Sequence, residues 1–372
     1  MRRYDIDWLR VLVFGFLIFY HVGMFFVPWG FHIKNNTLYQ SLVYPMLFVN
    51  QWRLPILFVI SGMGTFYALN KRTGVQFSWE RIKRLLLPLV IGMLFIVPPQ
   101  VYIERLAKGQ FTGSYFRYWP QYAFNGVYPE GNLSWHHLWF LPYLLIFSLL
   151  LIPLFLYLKK HPNASIIRFM RRLCNNTFSL FWLVVPLYLF EAFLEPFYNV
   201  THALVDDWFN FMSSLFLFSY GFLVMCVQEH FWQRVQEKRR VYLYLGCISF
   251  SVFLFLIFGF EDSTVRHFTE ALVKVINIWA WILAIFGYAA TYLNKKSKVL
   301  AYANEAVYPF YILHQTVMIC IAYYLMDLPW NLFSKASIMV LGTFLGSWLI
   351  YEIGIRRWKI TRPLFGLKPK AK

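Results

Sequence analysis

The chain has 372 residues, of which 59% are hydrophobic, 22% are aromatic and only 14% are charged. A soluble domain carries about 25% charged residues, so this composition excludes an ordinary soluble globular protein. The formal net charge of +18 does not indicate nucleic acid binding, because the basic residues lie in short loops between hydrophobic runs and no nucleic-acid motif is present. Basic residues in such loops are typical of the flanks of membrane spans.

Apolar segments of about 20 residues recur along the sequence, which predicts an all-α polytopic protein surrounded by membrane lipids. The first segment is not a cleaved signal peptide, because it has no small-residue cleavage site and a histidine interrupts it. We predict about ten transmembrane helices, at residues 8–28, 44–69, 85–104, 137–158, 179–198, 209–228, 241–260, 271–293, 303–325 and 336–356.

The loops between these spans predict the orientation. If successive spans alternate in direction, most of the 35 Lys and Arg residues fall on one side, and the positive-inside rule makes that side and both termini cytoplasmic. We expect one integral-membrane domain over residues 1–372, with a cytoplasmic tail from about residue 357 and no appended soluble domain.

The first span carries ionisable groups at its start and in its middle. Asp7 and Arg10 open it, and His21 follows eleven residues after Arg10. At 1.5 Å per residue this spacing is about 16 Å, so an Arg10 at one membrane face puts His21 near the middle of the hydrocarbon core. Such groups face a cavity, a partner helix or a substrate path. For His21, a hydrogen bond to a neighbouring helix is an equal alternative.

The second and third spans add buried and flanking arginines. Arg53 lies about nine residues inside span two, too deep for comfortable exposure, and faces either an internal polar cavity or, by snorkelling, the interface. Ser61 and Gly62 in the same span predict a close helix contact. Arg81 and Arg84 share one face of a helix before span three. This geometry suits bidentate binding of phosphate, but a basic flank that only sets the orientation of the span is the alternative.

Three further histidines bear on the chemistry. His136 and His137 are adjacent at the start of span four, and adjacent helical residues point about 100° apart, which makes them poor ligands for one metal. No metal-binding spacing such as HExxH occurs, so we predict no metal. His314 lies about eleven residues inside span nine, at a depth similar to His21.

The longest connection, residues 105 to 136, is rich in aromatic residues and lies on the side opposite the termini. Aromatic rings at that rim suit either stacking on sugars or an ordinary interfacial belt. Glu352 precedes Arg356 by four residues, which predicts a helix ion pair.

Several segments in order along the chain resemble the membrane acyltransferase-three family, in particular its glucan-modifying branch. The resemblance rests on DWLRVLVFGFLIFYH with Arg and His separated by ten residues, LFVISG at 57–62, RIKRLLLP at 81–88, HLWFLPYLL at 137–145, NEAVYPFYILHQ at 304–315, and YEIGIRRW with the later LFGLK. No single segment is very specific to the family, but the whole set, in this order from the first span to the tail, is specific.

The resemblance implies an enzyme of the cell inner membrane that takes an acyl group, acetyl or succinyl, from cytoplasmic acyl-CoA. It implies delivery to a hydroxyl of a periplasmic glycan or of a lipid-linked sugar. The residues fit this chemistry, since Arg10, Arg81 and Arg84 suit the phosphates of coenzyme A. A sugar hydroxyl is a weak nucleophile at neutral pH, and a histidine can take its proton during attack.

We therefore predict His21 as the general base, with Asp7 orienting Arg10 near the co-substrate; an acyl-His intermediate is the alternative for His21. Supporting residues expected along the substrate path, or near the oxyanion or acceptor, are Arg53, His137, Trp139 and His314. A multi-span transporter or exporter of an envelope glycan is the rival interpretation, since ionisable groups inside a membrane also mark proton relays. A non-enzymatic scaffold for glycan assembly is the third interpretation.

Overall fold

The structure is a computed structural model that describes residues 2–369, and it is helical nearly throughout. Sixteen α-helices lie in that part of the chain: α1 (Tyr4–Phe26), α2 (Val43–Leu69), α3 (Gly74–Arg81), α4 (Leu87–Ile91), α5 (Pro98–Ala107), α6 (Tyr115–Gln121), α7 (Phe140–Leu150), α8 (Ile152–Lys160), α9 (Ser165–Leu173), α10 (Val184–Phe193), α11 (Trp208–Cys226), α12 (Gln228–Gly259), α13 (Thr264–Tyr292), α14 (Lys298–Leu325), α15 (Leu332–Leu349) and α16 (Thr361–Leu364). Short 3-10 helices are Gln40–Leu42, His136–Trp139 and Ser179–Leu183; π-helical turns are Ile82–Leu86, Gly92–Ile96 and Ile350–Ile355. The all-α prediction is confirmed.

Eight helical segments within residues 2–369 are long and apolar enough to cross a membrane. They are Tyr4–Phe26, Gln40–Leu69, Gly74–Ala107, Trp208–Cys226, Gln228–Gly259, Thr264–Tyr292, Lys298–Leu325 and Leu332–Ile355. A ninth consists of His136–Leu150 and Ile152–Lys160, which meet at a bend of 49°. Pro153 at the start of α8 accounts for the bend, because proline lacks the N–H that would continue the ladder. The polytopic prediction is confirmed.

The span count is eight or nine, where the sequence predicted about ten. The difference lies at residues 179–198, where the apolar helix Ser179–Phe193 is shorter than 18 residues. Its first five residues are a 3-10 helix and the rest is α10. A straight span needs about 20 apolar residues, so this segment falls short on length.

The chain forms two compact units. The first contains the residues up to Arg10, Phe48–Ser78 and Ile146–Ser297, and the second contains Val11–Leu47, Trp79–Leu145 and the chain from Lys298 onward. Helices α1, α2, α3 and α7 contribute to both units.

Two glycines bring α2 and α11 together inside the first unit. A Cβ atom on Gly62 would lie 1.9 Å from the carbonyl oxygen of Phe218, and one on Gly221 would lie 1.9 Å from that of Val59. Each helix therefore presses its backbone against the glycine of the other, which is how helices associate in a membrane without a hydrophobic driving force. The close contact predicted at Gly62 is confirmed.

The second unit packs α14 against α5, α15 and the end of α1. Its largest apolar cluster lies around these helices and contains Val22, Phe25, Phe26, Ile33, Ile103, Met318, Ile319, Ala322, Leu325 and Met339. Near the start of α4, Pro88 cannot donate to the Arg84 carbonyl, and the Tyr308 hydroxyl donates to that oxygen at 2.8 Å. The predicted pair of Glu352 and Arg356 is present, with 3.1 Å between carboxylate and guanidinium.

Candidate active site

The centre of the candidate site is a direct contact between the two histidines predicted at similar depth. His21 of α1 and His314 of α14 belong to the second unit, and 2.8 Å separates His21 Nδ1 from His314 Nε2. Their rings are nearly parallel, with centroids 5.0 Å apart. His314 is 1% exposed, whereas His21 is half-buried, so His21 is the member of the pair that a substrate can reach.

Backbone carbonyls fix the proton positions in this pair. His314 Nδ1 lies 2.8 Å from the Tyr311 carbonyl oxygen and 3.2 Å from that of Phe310. Carbonyl oxygens only accept, so Nδ1 carries the proton of the neutral His314 ring and Nε2 is an acceptor. His21 must then donate from Nδ1, which leaves the lone pair of its own ring on Nε2. A neutral imidazole with this tautomer is a base at Nε2.

His137 approaches the same pair from a third element. Its ring lies at 88° to that of His314, with centroids 5.3 Å apart. Its Nε2–H donates to the Ile312 carbonyl at 3.0 Å, and the Tyr311 hydroxyl donates to the His137 carbonyl at 2.6 Å. His137 is therefore held by α14 on both its ring and its backbone. Trp139, also buried, packs edge-on against Tyr143 with ring centroids 5.2 Å apart.

A chain of polar side chains continues from Gln315, the neighbour of His314, to a buried carboxylate. Gln315 Nε2 lies 3.1 Å from both His32 Nε2 and Gln100 Oε1. The other nitrogen of His32, Nδ1, lies 2.6 Å from Glu104 Oε2. Gln100 in turn donates to Thr316 at 2.6 Å and lies 3.4 Å from His137 Nδ1. Buried amides and imidazoles thus satisfy one another along the whole chain, as buried polar groups must.

Glu104 is the anchor of that chain. Its Oε1 accepts from Lys108 Nζ at 2.6 Å and from the Tyr128 hydroxyl at 3.1 Å, while Oε2 faces His32. Burial, and after it the neighbouring Glu104 carboxylate, raises the pKa of Tyr128 to about 12, so this hydroxyl remains a donor at every physiological pH. Sequence reasoning identified neither His32, Gln100, Glu104 nor Gln315.

A signal existed for two of these four residues. Glu104 is an acid at the end of a predicted span, and Gln315 completes the NEAVYPFYILHQ segment. Ionisable residues in such positions deserve a functional hypothesis by default. His32 lies in a loop and Gln100 in a polar stretch, and nothing in their immediate sequence distinguishes them.

The predicted basic residues lie in different units. In the first unit, Arg10 Nη1 is 3.6 Å from Asp7 Oδ1, and Asp7 also accepts from Arg2 at 2.7 Å. Asp7 therefore lies within ion-pair distance of Arg10. Arg53 is in the same unit, 7% exposed, and donates to Asn50 at 2.9 Å.

Arg81 and Arg84 lie in the second unit. Arg81 ends α3, and Arg84 follows in the π-helical turn before α4. The Arg84 side chain is 48% exposed, pairs with Glu80 at 3.5 Å and donates to the Gly366 carbonyl at 3.3 Å. Gly366 has a φ of +70° and lies against the Tyr308 ring, where a Cβ atom would clash at 2.0 Å. The tail segment LFGLK thus contributes to the surroundings of Arg84.

These features define a multi-pass helical membrane protein with two histidines in direct contact, one buried and one half-buried. The family described as "Acyltransferase domain" matches residues 3–352, and the chain belongs to this family. The resemblance to the acyltransferase-three family is confirmed.

Among curated relatives, the chain is similar to Glucans biosynthesis protein C of Salmonella heidelberg (strain SL476) and to the protein of the same name from Salmonella agona (strain SL483). Each is 23% identical over 385 aligned residues, which cover 100% of this chain and 96% of the relative. No solved structure matches.

Proposed function

We propose that this chain is an O-acyltransferase of the cell inner membrane, with both termini in the cytoplasm. It moves an acetyl or succinyl group from cytoplasmic acyl-CoA to a hydroxyl of a periplasmic or lipid-linked glycan. Membership of the acyltransferase family supports group transfer, and the names of the relatives favour a glucan as acceptor. The observation that carries the proposal is the hydrogen bonding of His21 and His314. It leaves a basic Nε2 on His21, the more exposed of the two histidines.

In this proposal His21 is the general base. Its Nε2 takes the proton of the acceptor hydroxyl while the hydroxyl oxygen attacks the thioester carbonyl carbon. The carbon–sulfur bond then breaks, an ester forms, and the proton on His21 passes to the departing coenzyme A thiolate. A positioned base of this kind contributes about 10²–10⁴-fold to the rate.

His314 has a different task from the path-lining role that the sequence predicted. When His21 gains a proton at Nε2, its Nδ1–H becomes the donor of a charged ring, and His314 Nε2 already lies 2.8 Å away to accept it. Hydrogen bonds to charged groups are worth about 1.5–3 kcal/mol, so His314 stabilises the protonated base by that amount. His314 is a positioning residue.

The donor side uses the arginines. Coenzyme A carries several phosphate charges, and guanidinium groups bind phosphate in bidentate geometry. Arg84 is half-exposed, which leaves guanidinium donors for an anion. We assign Arg81 and Arg84 of the second unit to coenzyme A, and a coenzyme A role for Arg10, with Asp7 orienting it in the first unit, stays a prediction from the sequence.

The acceptor side uses the remaining predicted residues. His137 is held against the histidine pair by α14, and Trp139 is buried next to it, so both suit the wall of an acceptor path. Arg53 suits the acceptor or the carboxylate of a succinyl group. The aromatic loop between α5 and α7 offers ring faces to a sugar, as in other carbohydrate sites where aromatic bodies pack against apolar ring faces.

Acyl transfer in proteoliposomes tests the catalytic assignment. Labelled acetyl-CoA and succinyl-CoA are supplied with linear or cyclic glucan oligosaccharides, and acylated glucan is measured. His21→Ala should lose at least about 100-fold in kcat, while His230→Ala, an exposed histidine of α12, should behave as wild type. His314→Leu should lose about 10- to 150-fold, and His314→Gln should recover part of that loss, because an amide oxygen can accept from His21 Nδ1.

Full transfer by His21→Ala would refute the base assignment, and equal rates for the two His314 variants would refute the role of His314. Counter-transport of a glycan without any acyl-CoA would refute the enzymatic proposal in favour of a transporter.

Donor binding is tested by thermal stability with acetyl-, succinyl- and free coenzyme A. A donor at 100 times its Kd stabilises the protein by roughly 2.7 kcal/mol. That stabilisation should weaken in Arg84→Ala and persist in Arg171→Ala, a matched exposed arginine of α9. Absence of a shift with every coenzyme A species would contradict the donor assignment.

A further inference from the structure

A second cluster of chemically active side chains lies at the end of the polar chain, outside the histidine pair. It consists of His32, Glu104 and His136, hereafter the His–Glu cluster, and comes from three elements of the second unit. His32 lies in the loop after α1, Glu104 lies in α5, and His136 begins the 3-10 helix before α7. One ligand-type atom from each residue lies within 4.8 Å of the other two.

His136 is the member whose bonding is incomplete. Its Nε2 is buried and has no hydrogen-bond partner. Its Nδ1 lies 3.3 Å from Ser134 Oγ, which also accepts from the His136 backbone N–H at 3.0 Å. When the ring proton is on Nδ1 and directed at Ser134, Nε2 has a lone pair, and an unsatisfied buried nitrogen of this kind costs free energy. A ligand that accepts this lone pair removes the cost.

The backbone of His136 is also held in a costly conformation. Its φ is +38°, in the left-handed region that non-glycine residues rarely adopt. Backbone strain of this kind persists at functional sites where the side chain must point in one direction. Here the ring packs against His32, with centroids 4.5 Å apart, and edge-on against Tyr128. The strained backbone therefore holds the His136 ring against the other two members of the cluster.

We propose that His32, Glu104 and His136 bind one divalent transition-metal ion, with zinc as the best match. Two imidazoles and one carboxylate are a common ligand set of zinc, and three protein ligands leave a fourth position open. The supporting contacts are of the kind that ligands require, since Ser134 Oγ lies 3.3 Å from His136 Nδ1, and Tyr128 and Lys108 both bind Glu104 through Oε1. Lys108 is 46% exposed, so solvent screens much of its charge from the ion.

Ion binding rearranges the hydrogen bonds of His32, Gln315 and Gln100, because Gln315 Nε2 also donates to Gln100 Oε1. The His32 proton now lies between Nδ1 and Glu104 Oε2, and the ion takes that place. The proton of the neutral ring moves to Nε2, and the Gln315 amide turns its oxygen towards it. The prediction of no metal rested on sequence spacing, and spacing has no bearing on ligands that lie 72 and 32 residues apart in three elements.

Metal titration of the purified full-length chain in detergent tests the site, after removal of adventitious ions with a chelator. Zinc should bind with one equivalent per chain, and Co²⁺ in its place should show the visible ligand-field absorption of a site with nitrogen ligands. Glu104→Gln and His136→Asn should each weaken zinc binding on the order of 100-fold or more. His230→Asn, which removes an exposed histidine elsewhere, should bind as wild type does.

The His136→Asn variant protects the test against misfolding, because asparagine tolerates a positive φ better than most residues. Wild-type protein that binds no zinc stoichiometrically would overturn the proposal, and so would variants that bind it as tightly as wild type. Neither measurement reads acyl transfer, so failure of the metal site and failure of the proposed function are distinguishable.

Discussion

The reciprocal glycine contact between α2 and α11 allows a sharp test of how the first unit is held together. A Cβ on Gly62 would lie 1.9 Å from the Phe218 oxygen and 3.0 Å from the backbone nitrogen of Phe222. Carbon and oxygen atoms normally approach no closer than about 3.3 Å, so Gly62→Ala must move the helices apart by roughly 1.4 Å. Both clashing atoms are backbone, so no side chain can turn away to make room.

The magnitude follows from two opposing effects. Alanine is about 0.8–1.0 kcal/mol better than glycine in a helix interior, whereas overpacking costs typically 1–3 kcal/mol. Gly64 provides the matched control two residues along the same helix, because its Cβ would meet only Arg10 Nη2 at 3.7 Å, an ordinary contact. Gly64→Ala should therefore keep the gain in helix propensity, and the difference in stability between the two variants should be about 1–3 kcal/mol.

Thermal unfolding in detergent, followed by intrinsic fluorescence, measures this difference. Gly62→Ala should unfold about 1–4 °C below Gly64→Ala, since 1 kcal/mol shifts the Tm of a protein of this size by about 1.3 °C. The double variant Gly62→Ala, Gly221→Ala should lose less than the sum of the two single losses, because one separation of the helices relieves both clashes. Equal Tm values for Gly62→Ala and Gly64→Ala would refute the reasoning.

Two further predictions concern buried charge. Burial lowers the pKa of His202 to about 4; Asp207 acts against this shift and Arg53 acts in the same direction. In the unfolded chain the His202 imidazole takes up a proton below its ordinary pKa of 6.5, whereas in the folded protein it does so only near pH 4. The free energy of unfolding therefore decreases as the pH falls from 6.5 to 4. His202→Asn, which tolerates the φ of 59°, should flatten that pH dependence, and an unchanged profile would contradict the assignment. Lys335 is fully buried and donates to Asn35 Oδ1 at 2.6 Å and to the Met326 carbonyl at 3.2 Å. Lys335→Met should lose about 2–4 kcal/mol in chemical denaturation, because charge-assisted bonds disappear and Asn35 Oδ1 loses its buried donor, whereas the exposed Lys296→Met should lose nothing measurable.

Much of the fold was predictable because the local amino-acid composition is enough to indicate a membrane span. An 18-residue apolar run is decisive wherever it occurs, and α1 and α14 were found in this way together with the depth of His21 and His314. The helix in segment 179–198 is shorter than predicted, because hydropathy does not reveal that its first turn is a 3-10 helix or that α10 ends at Phe193. Helix ends outside the membrane were also missed, since α12 begins at Gln228 in a stretch that looked like a basic loop.

The site was predictable only where a residue is unusual in its own surroundings. A histidine inside an apolar run is such a residue, and both members of the pair were found for that reason. Their mutual contact, and the tautomer it fixes, depend on the rotation of two helices far apart in sequence. His32 and His136 are ordinary loop residues until the fold places them beside Glu104, so no local pattern could have indicated the cluster.

The contact between His21 and His314 has a consequence for how α1 and α14 find their alignment. Lipid tails are as apolar as the side chains of these helices, so burial of leucine or phenylalanine hardly distinguishes one axial register from another. A buried polar bond does distinguish them, since a slip of one turn would break the bond between His21 Nδ1 and His314 Nε2 and the bond between Gln315 and His32. A single buried asparagine fixes the register of a coiled coil in the same way. The histidine pair therefore also fixes the axial register of α1 against α14. Replacing both histidines with leucine should yield a protein in which these two helices adopt several registers.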